Sequence, residues 1–252
     1  MVDGVQKMYK KNFLTNVIFR IDYPQITEYS QELLKKFQEA IKSEFPILQE
    51  SPGKIIEFSV GEDQKVEFKD KELLKWTFFS KNKKRIASVE HNNMTLEFLE
   101  YDCFESLEKT LKTLLESLKN VFGEIISTRV GLRYVNQISL EEEDTFNFKD
   151  YIDDSLTKNL EFIEDKNLSR TISVLEILEG EYSLRFQYGI PNSLYPGKIL
   201  RKEFVLDIDG YTNDALNQKE VMDKIKVLNE RITSLFEKCI GNKLRNIMET
   251  EE

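Results

Sequence analysis

The chain is poor in the residues from which most protein chemistry is built. It carries 1 histidine, 2 cysteines and 1 tryptophan in 252 residues. With His91 as the single histidine, no His/Cys cluster has zinc spacing and no Ser-His-Asp set can be nominated. His91 itself stands beside Asn92 and Asn93 in an expected hairpin tip and reads as a solvated turn residue. Cys103 and Cys239 are isolated, each in a helical pattern, and read as buried thiols rather than a disulfide or metal ligands. Gly-x4-Gly-Lys is absent, and no Gly-x-Gly-x-x-Gly follows a strand; Pro52-Gly-Lys54 and Pro196-Gly-Lys198 are turn signals, not phosphate cradles. Glycine (10) and proline (5) are also scarce, which predicts long regular elements and short loops. No run of about 18 apolar residues occurs, so no membrane span is expected. Met1–Lys11 lacks the apolar stretch of a secretory signal. Together these absences set the expectation of a cytoplasmic protein without a cofactor.

What is present is enough for a core. Hydrophobic residues make up 40% and aromatics 11%, while 32% charged residues and a net charge of −9 suit a solvated, acidic surface. Such a surface weighs against dedicated nucleic-acid binding, because phosphates repel it. The length fits one large domain or two small ones.

The hydropathy pattern predicts elements along the whole chain. Residues 13–23 alternate as a strand, and Thr27 is placed to cap a helix running to about residue 45, with Leu33, Phe37, Ile41 and Phe45 four apart. Ser51–Lys54 reads as a turn. Strands follow at Ile55–Val60, Leu73–Ser80, Arg85–Glu90 and Met94–Glu100, with Lys81–Lys84 and His91–Asn93 as hairpin tips. Residues 104–122 form an apolar helical stripe that Gly123 ends. The order then repeats. A strand at 125–139 leads into an acidic stretch, 141–168, with a helix around Tyr151–Phe162; strands at 171–178, 182–189 and 201–209 follow, then a long helix over about 215–250. The expected fold class is therefore α+β: two similar strand–helix–strands–helix halves, 1–123 and 124–252, packed as one unit. Mainly antiparallel sheets would have their helices on one side. Val17-Ile-Phe-Arg20 aligns with Val130-Gly-Leu-Arg133, and Thr95-Leu-Glu-Phe98 with Ser183-Leu-Arg-Phe186, as an internal duplication requires.

The alternation also sorts residues by face. In Arg129–Ile138, Val130, Leu132, Tyr134 and Ile138 share one side while Arg129, Gly131, Arg133 and Gln137 share the other. The same style recurs at Phe19–Tyr23, Leu184–Tyr188 and Glu203–Asp209. The segment Arg129–Ile138 resembles a sporadically distributed prokaryotic protein family with no assigned activity. Asn12–Phe19, Leu184–Gly189 and Arg201–Asp209 carry the same resemblance over nearly the full length. It implies no catalytic residues; the patchy distribution is of the kind seen for mobile, conflict-related genes.

The candidate ligand site is the polar strand face: Arg20, Arg133, Arg185, Gln187, Asp207 and Asp209. Asp207 and Asp209, two apart, leave the same side of a strand and suit Mg²⁺ together with a substrate phosphate, which Arg133 and Arg185 would clamp. Against this stands a self-neutralising lattice, since the arginines Arg20, Arg129, Arg133 and Arg185 are matched in number by Asp22, Glu203, Asp207 and Asp209. Lys81, Lys83, Lys84 and Arg85 form the densest basic cluster and offer a nucleic-acid contact, or merely a solvated tip. Val221, Ile225, Leu228, Ile232, Leu235 and Cys239 step by four and three, a coiled-coil-like rhythm that suggests a homodimer through the C-terminal helix. The first expectation is a non-catalytic binding or interaction protein presenting the charged sheet face and the long helix. A metal-dependent phosphate-ester enzyme and a nucleic-acid binder are the alternatives.

Overall fold

A computed structural model describes residues 9–60, 66–162 and 167–249. Among the described residues, nine strands and four α-helices follow one another in the order β1 (Leu14–Asp22), α1 (Gln31–Ile41), β2 (Ile47–Val60), β3 (Val66–Phe79), β4 (Arg85–Glu90), β5 (Asn93–Phe98), α2 (Phe104–Phe122), β6 (Arg129–Leu140), β7 (Thr171–Glu179), β8 (Tyr182–Ile190), β9 (Lys202–Thr212), α3 (Gln218–Cys239) and α4 (Asn242–Glu249).

All nine strands lie in one antiparallel sheet with the order β2-β3-β4-β5-β1-β6-β9-β8-β7. Within 1–123 the first strand, β1, is innermost and the last strand of the meander, β5, returns to its side. Within 124–252, β6 is innermost and β9 returns to its side. The two innermost strands pair with each other, Val17 opposite Tyr134 and Ile21 opposite Val130, so the halves share one sheet. α3 packs on β6 and β9, and α2 touches both α1 and α3, which places these helices on one face. There Phe19, Leu132 and Ile208 are buried against Leu111, Leu114, Leu228 and Ile232. The α+β class and the antiparallel sheet are as the periodicity predicts. None of the described helices is long and apolar enough to cross a membrane.

Local chemistry accounts for most boundaries. α2 stops at Gly123, whose φ of +86° only glycine adopts freely and whose N–H returns to Lys119 O. α3 starts on a capping box in which Asn217 accepts from Lys219 N and Glu220 N while Glu220 reaches back to Asn217 N. α1 begins at a Ser30 cap rather than at Thr27. The residues between are held elsewhere: Ile26 N donates to His91 O, and the Tyr29 hydroxyl to Val89 O.

Three expectations need correction. Ser51–Lys54 is not a turn but part of β2, in register from Ile47 opposite Phe79 to Val60 opposite Val66. β2 is an outermost strand, the place in a sheet where proline is tolerated. The helix expected at Tyr151–Phe162 is instead two 3-10 turns, Asp154–Leu156 and Lys158–Leu160. The backbone there is committed to α3 and α4, with Asp153 N donating to Cys239 O, Gly241 N to Tyr151 O and Lys243 N to Asp150 O.

The long C-terminal helix is likewise broken. α3 ends at Cys239, Ile240 is extended and bridges Ile152, and α4 restarts at Asn242. Gly241 permits the bend because any Cβ would overlap the Asp150 carbonyl. The segment after Gly241 packs inward through Leu244 and Met248. Hydrophobic periodicity could not reveal this break, because α4 continues the apolar stripe beyond it.

Candidate functional site

β9 runs between β6 and β8, and its register gathers the polar strand residues. Arg133, Asp209 and Arg185 are cross-strand neighbours, and so are Val135, Asp207 and Gln187. Arg20 on β1 lies opposite Gly131, over which the Arg129 guanidinium folds. All six predicted ligand-site residues thus share the sheet face opposite the helices.

Side-chain geometry on that face is pairwise. Arg133 donates from Nε and Nη2 to the two oxygens of Asp207, at 2.7 and 2.6 Å. Arg20 donates from Nε and Nη2 to Asp22 Oδ1, at 2.9 and 2.6 Å. Arg129 sits 3.4 Å from Asp209 and 3.8 Å from Asp22. Arg185 meets Glu176 of β7 at 3.3 Å. Glu176 was not among the sequence candidates; it is found only once β7 is known to flank β8. Glu203, further along β9, accepts from Ser193 N at 2.8 Å.

These contacts decide what the face can do. Each of the four arginines lies against a carboxylate, and Asp207 has both oxygens engaged. A phosphate would have to displace a carboxylate from a guanidinium, and a cation at Asp207 and Asp209 would sit beside Arg133 and Arg129. Burial raises the Asp209 pKa, and the nearby guanidinium groups of Arg129 and Arg133 oppose that rise. Among the described residues, no group of three or more His, Cys, Asp or Glu is placed to hold a metal ion.

The basic hairpin is divided between two environments. Arg85 turns to the helical side, where its Nη1 donates to Thr110 Oγ1 at 3.0 Å and to Glu44 at 3.4 Å, with the rings of Phe45 and Phe98 about it. Lys84 meets Glu100 at 2.7 Å. Lys81 and Lys83 are exposed. His91 departs from the solvated-turn expectation: it is half-buried against Tyr29, and its Nδ1 is buried without a hydrogen-bond partner. Cys103 is not inside a helix but at the N-cap of α2, whereas Cys239 is buried and its thiol pushed up to about 12 by that burial.

Sequence reasoning missed two features of the helical side. The first is Lys202, 2% exposed, whose ammonium pairs with Glu142 and lies over the rings of Phe148 and Tyr151. The second is a pocket of about 320 Å³ where the start of α2 meets α3, α4 and the segment before β1. Tyr101, Tyr134, Asn136 and Thr233 are among the residues that line it. Residues from both ends of the chain build it, so no local motif announces it.

No protein-family model matches the chain, and no curated protein is significantly similar to it.

Proposed function

We propose that the protein is a non-catalytic interaction protein that pairs with a second copy of itself along β7. The observation that carries this reading is where exposed apolar surface collects. Among the described residues, Phe162, Val174, Leu175, Leu178, Leu194, Tyr195 and Leu200 are seven of the ten large hydrophobic side chains that stand exposed, and Leu178 is 80% exposed. Three of the seven lie on β7, an outermost strand, which leaves one row of its backbone donors and acceptors without a strand partner among the described residues. Sheet edges of this kind are normally blunted by charge or proline, because they otherwise recruit a further strand.

β7 has acids but keeps them occupied: Glu176 with Arg185, and Glu179 with Arg231. Two copies can then approach without naked like charges. Antiparallel pairing about a two-fold axis at Leu175 puts Ile172 opposite Leu178 and Val174 opposite Glu176, an isologous contact. The C-terminal helical stripe offers less, because Val221, Ile225, Leu228, Ile232 and Leu244 are already buried in the protein's own core. The charged face would then be a lattice that keeps the wide sheet solvated.

Sedimentation equilibrium of the wild type and of Val174→Lys with Leu178→Lys tests the proposal. A dimer at about 100 µM that becomes a folded monomer in the variant supports it, since association depends on concentration. A monomeric wild type, or a variant that still dimerises, overturns it.

A further inference from the structure

The pocket on the helical side stands apart from the β7 edge, and its chemistry points to a ligand class. Its volume of about 320 Å³ falls at the lower end of the range for small-molecule sites. Asp102, Glu105 and Glu237 line it, and among the described residues no lysine, arginine or histidine does. The aromatic part of the wall is Tyr9, Tyr101, Phe104, Tyr134 and Phe236. Carboxylates beside aromatic faces are the surroundings that favour an organic cation.

The Tyr134 hydroxyl donates its one proton to Asn229 Oδ1 at 2.6 Å. The 2.9 Å contact between Tyr101 and Tyr134 must then have Tyr101 as donor, which leaves the Tyr101 oxygen able to accept. Asn136 donates its amide to Leu206 O at 3.4 Å and keeps its carbonyl oxygen as an acceptor. Glu237 is satisfied by Tyr9, at 2.8 Å, and by Arg245. Asp102 and Glu105 are exposed, and neither makes an ion pair among the described residues. The Tyr101 oxygen, Asn136 Oδ1 and the Asp102 and Glu105 carboxylates are thus acceptors open to a ligand that donates, and the Thr233 hydroxyl in the wall can donate or accept.

One feature pulls the other way. The α2 N-terminus opens here with no side-chain cap at Cys103, and helix N-termini favour anions. Asp102 and Glu105 flank that terminus and already supply the negative charge it favours.

We propose that this pocket binds a small primary ammonium ion with an aromatic or aliphatic body, its N–H groups directed at the Tyr101 oxygen and the Asp102 and Glu105 carboxylates and its apolar part against Phe104, Phe236 and Met248.

The test uses the full chain and three matched probes at constant ionic strength: 2-phenylethylammonium chloride, 2-phenylethanol and 3-phenylpropionate. Isothermal titration and thermal shift are expected to detect the ammonium alone. Asp102→Asn combined with Glu105→Gln changes two exposed side chains and should weaken it by about tenfold or more. Thr233→Trp, which fills the pocket and leaves the carboxylates, should abolish binding. Its melting curve in buffer verifies the fold, and the Asp102/Glu105 variant keeps the test decisive should it fail to fold. Equal binding of the alcohol, binding of the carboxylate instead, or no response to the ammonium would each overturn the proposal.

Discussion

Arg133 holds Asp207 with a two-pronged hydrogen bond, Nε to one oxygen at 2.7 Å and Nη2 to the other at 2.6 Å, across the β6–β9 pair. The carboxylate is mostly buried while the guanidinium is nearly half exposed. Truncating Asp207→Ala should therefore cost about 1–3 kcal/mol, since the arginine left behind recovers part of its hydration. A double-mutant cycle with Arg133→Met should return a coupling of about 1 kcal/mol in urea unfolding. A coupling near zero would remove the lattice description.

The same pairing bears on metal. With Asp207 occupied and Arg129 near Asp209, Mg²⁺ or Mn²⁺ should leave the thermal midpoint of the wild type unchanged. A rise that disappears in Asp207→Asn with Asp209→Asn would restore the phosphate-ester enzyme as the leading reading.

Asp209 supplies a pH signature. Burial raises its pKa in the fold, so its protonated form is the better tolerated one. Its contribution to stability is present below the ordinary carboxylate pKa and is lost as pH rises through the raised value. Asp209→Asn imitates the protonated form. It should raise the midpoint at neutral pH, with the gain shrinking as the wild-type group protonates. A loss at neutral pH would show that the Arg129 contact outweighs burial, and a gain independent of pH would show that ionisation of Asp209 is not its cause.

Lys202 is a buried cation whose carboxylate partner, Glu142, reaches it from the acidic segment. Glu142→Gln should lower stability by leaving the ammonium to the rings of Phe148 and Tyr151. Lys202→Met removes the charge altogether and should come out near neutral or stabilising. Guanidinium unfolding of the two variants gives the comparison, and a larger loss for Lys202→Met would contradict it.

Gly241 is where the C-terminal helices turn against residues 150–153. Gly241→Ala must push the Asp150 carbonyl aside and should cost about 1–3 kcal/mol, the usual range for forced overpacking. Ending the chain after Gly241 removes Leu244 and Met248 from the core. It should lower the thermal midpoint of the protein without dissociating the dimer proposed along β7.

Hydrophobic alternation is enough to locate β1, β4 to β9 and α2, because their periods of two and of three to four residues record which side faces the core. It also placed Arg20, Arg133, Arg185, Gln187, Asp207 and Asp209 on one face, since alternation within a strand is a local property. The pairing of these side chains is set by the strand order and register of the sheet. Arg133 meets Asp207 because β9 lies beside β6 at a particular register, and Arg185 meets Glu176 because β7 closes that side of the sheet. Arg85, grouped by sequence with Lys81, Lys83 and Lys84, turns away to Glu44 and Thr110 across the sheet. The break at Ile240–Gly241, the buried Lys202 and the pocket under α4 share one cause. Each depends on residues far apart in the chain, such as Gly241 with Asp150 or Tyr9 with Glu237, and local patterns carry no record of such contacts. Periodicity reports that a side chain is buried; the packing of distant segments determines what it is buried against.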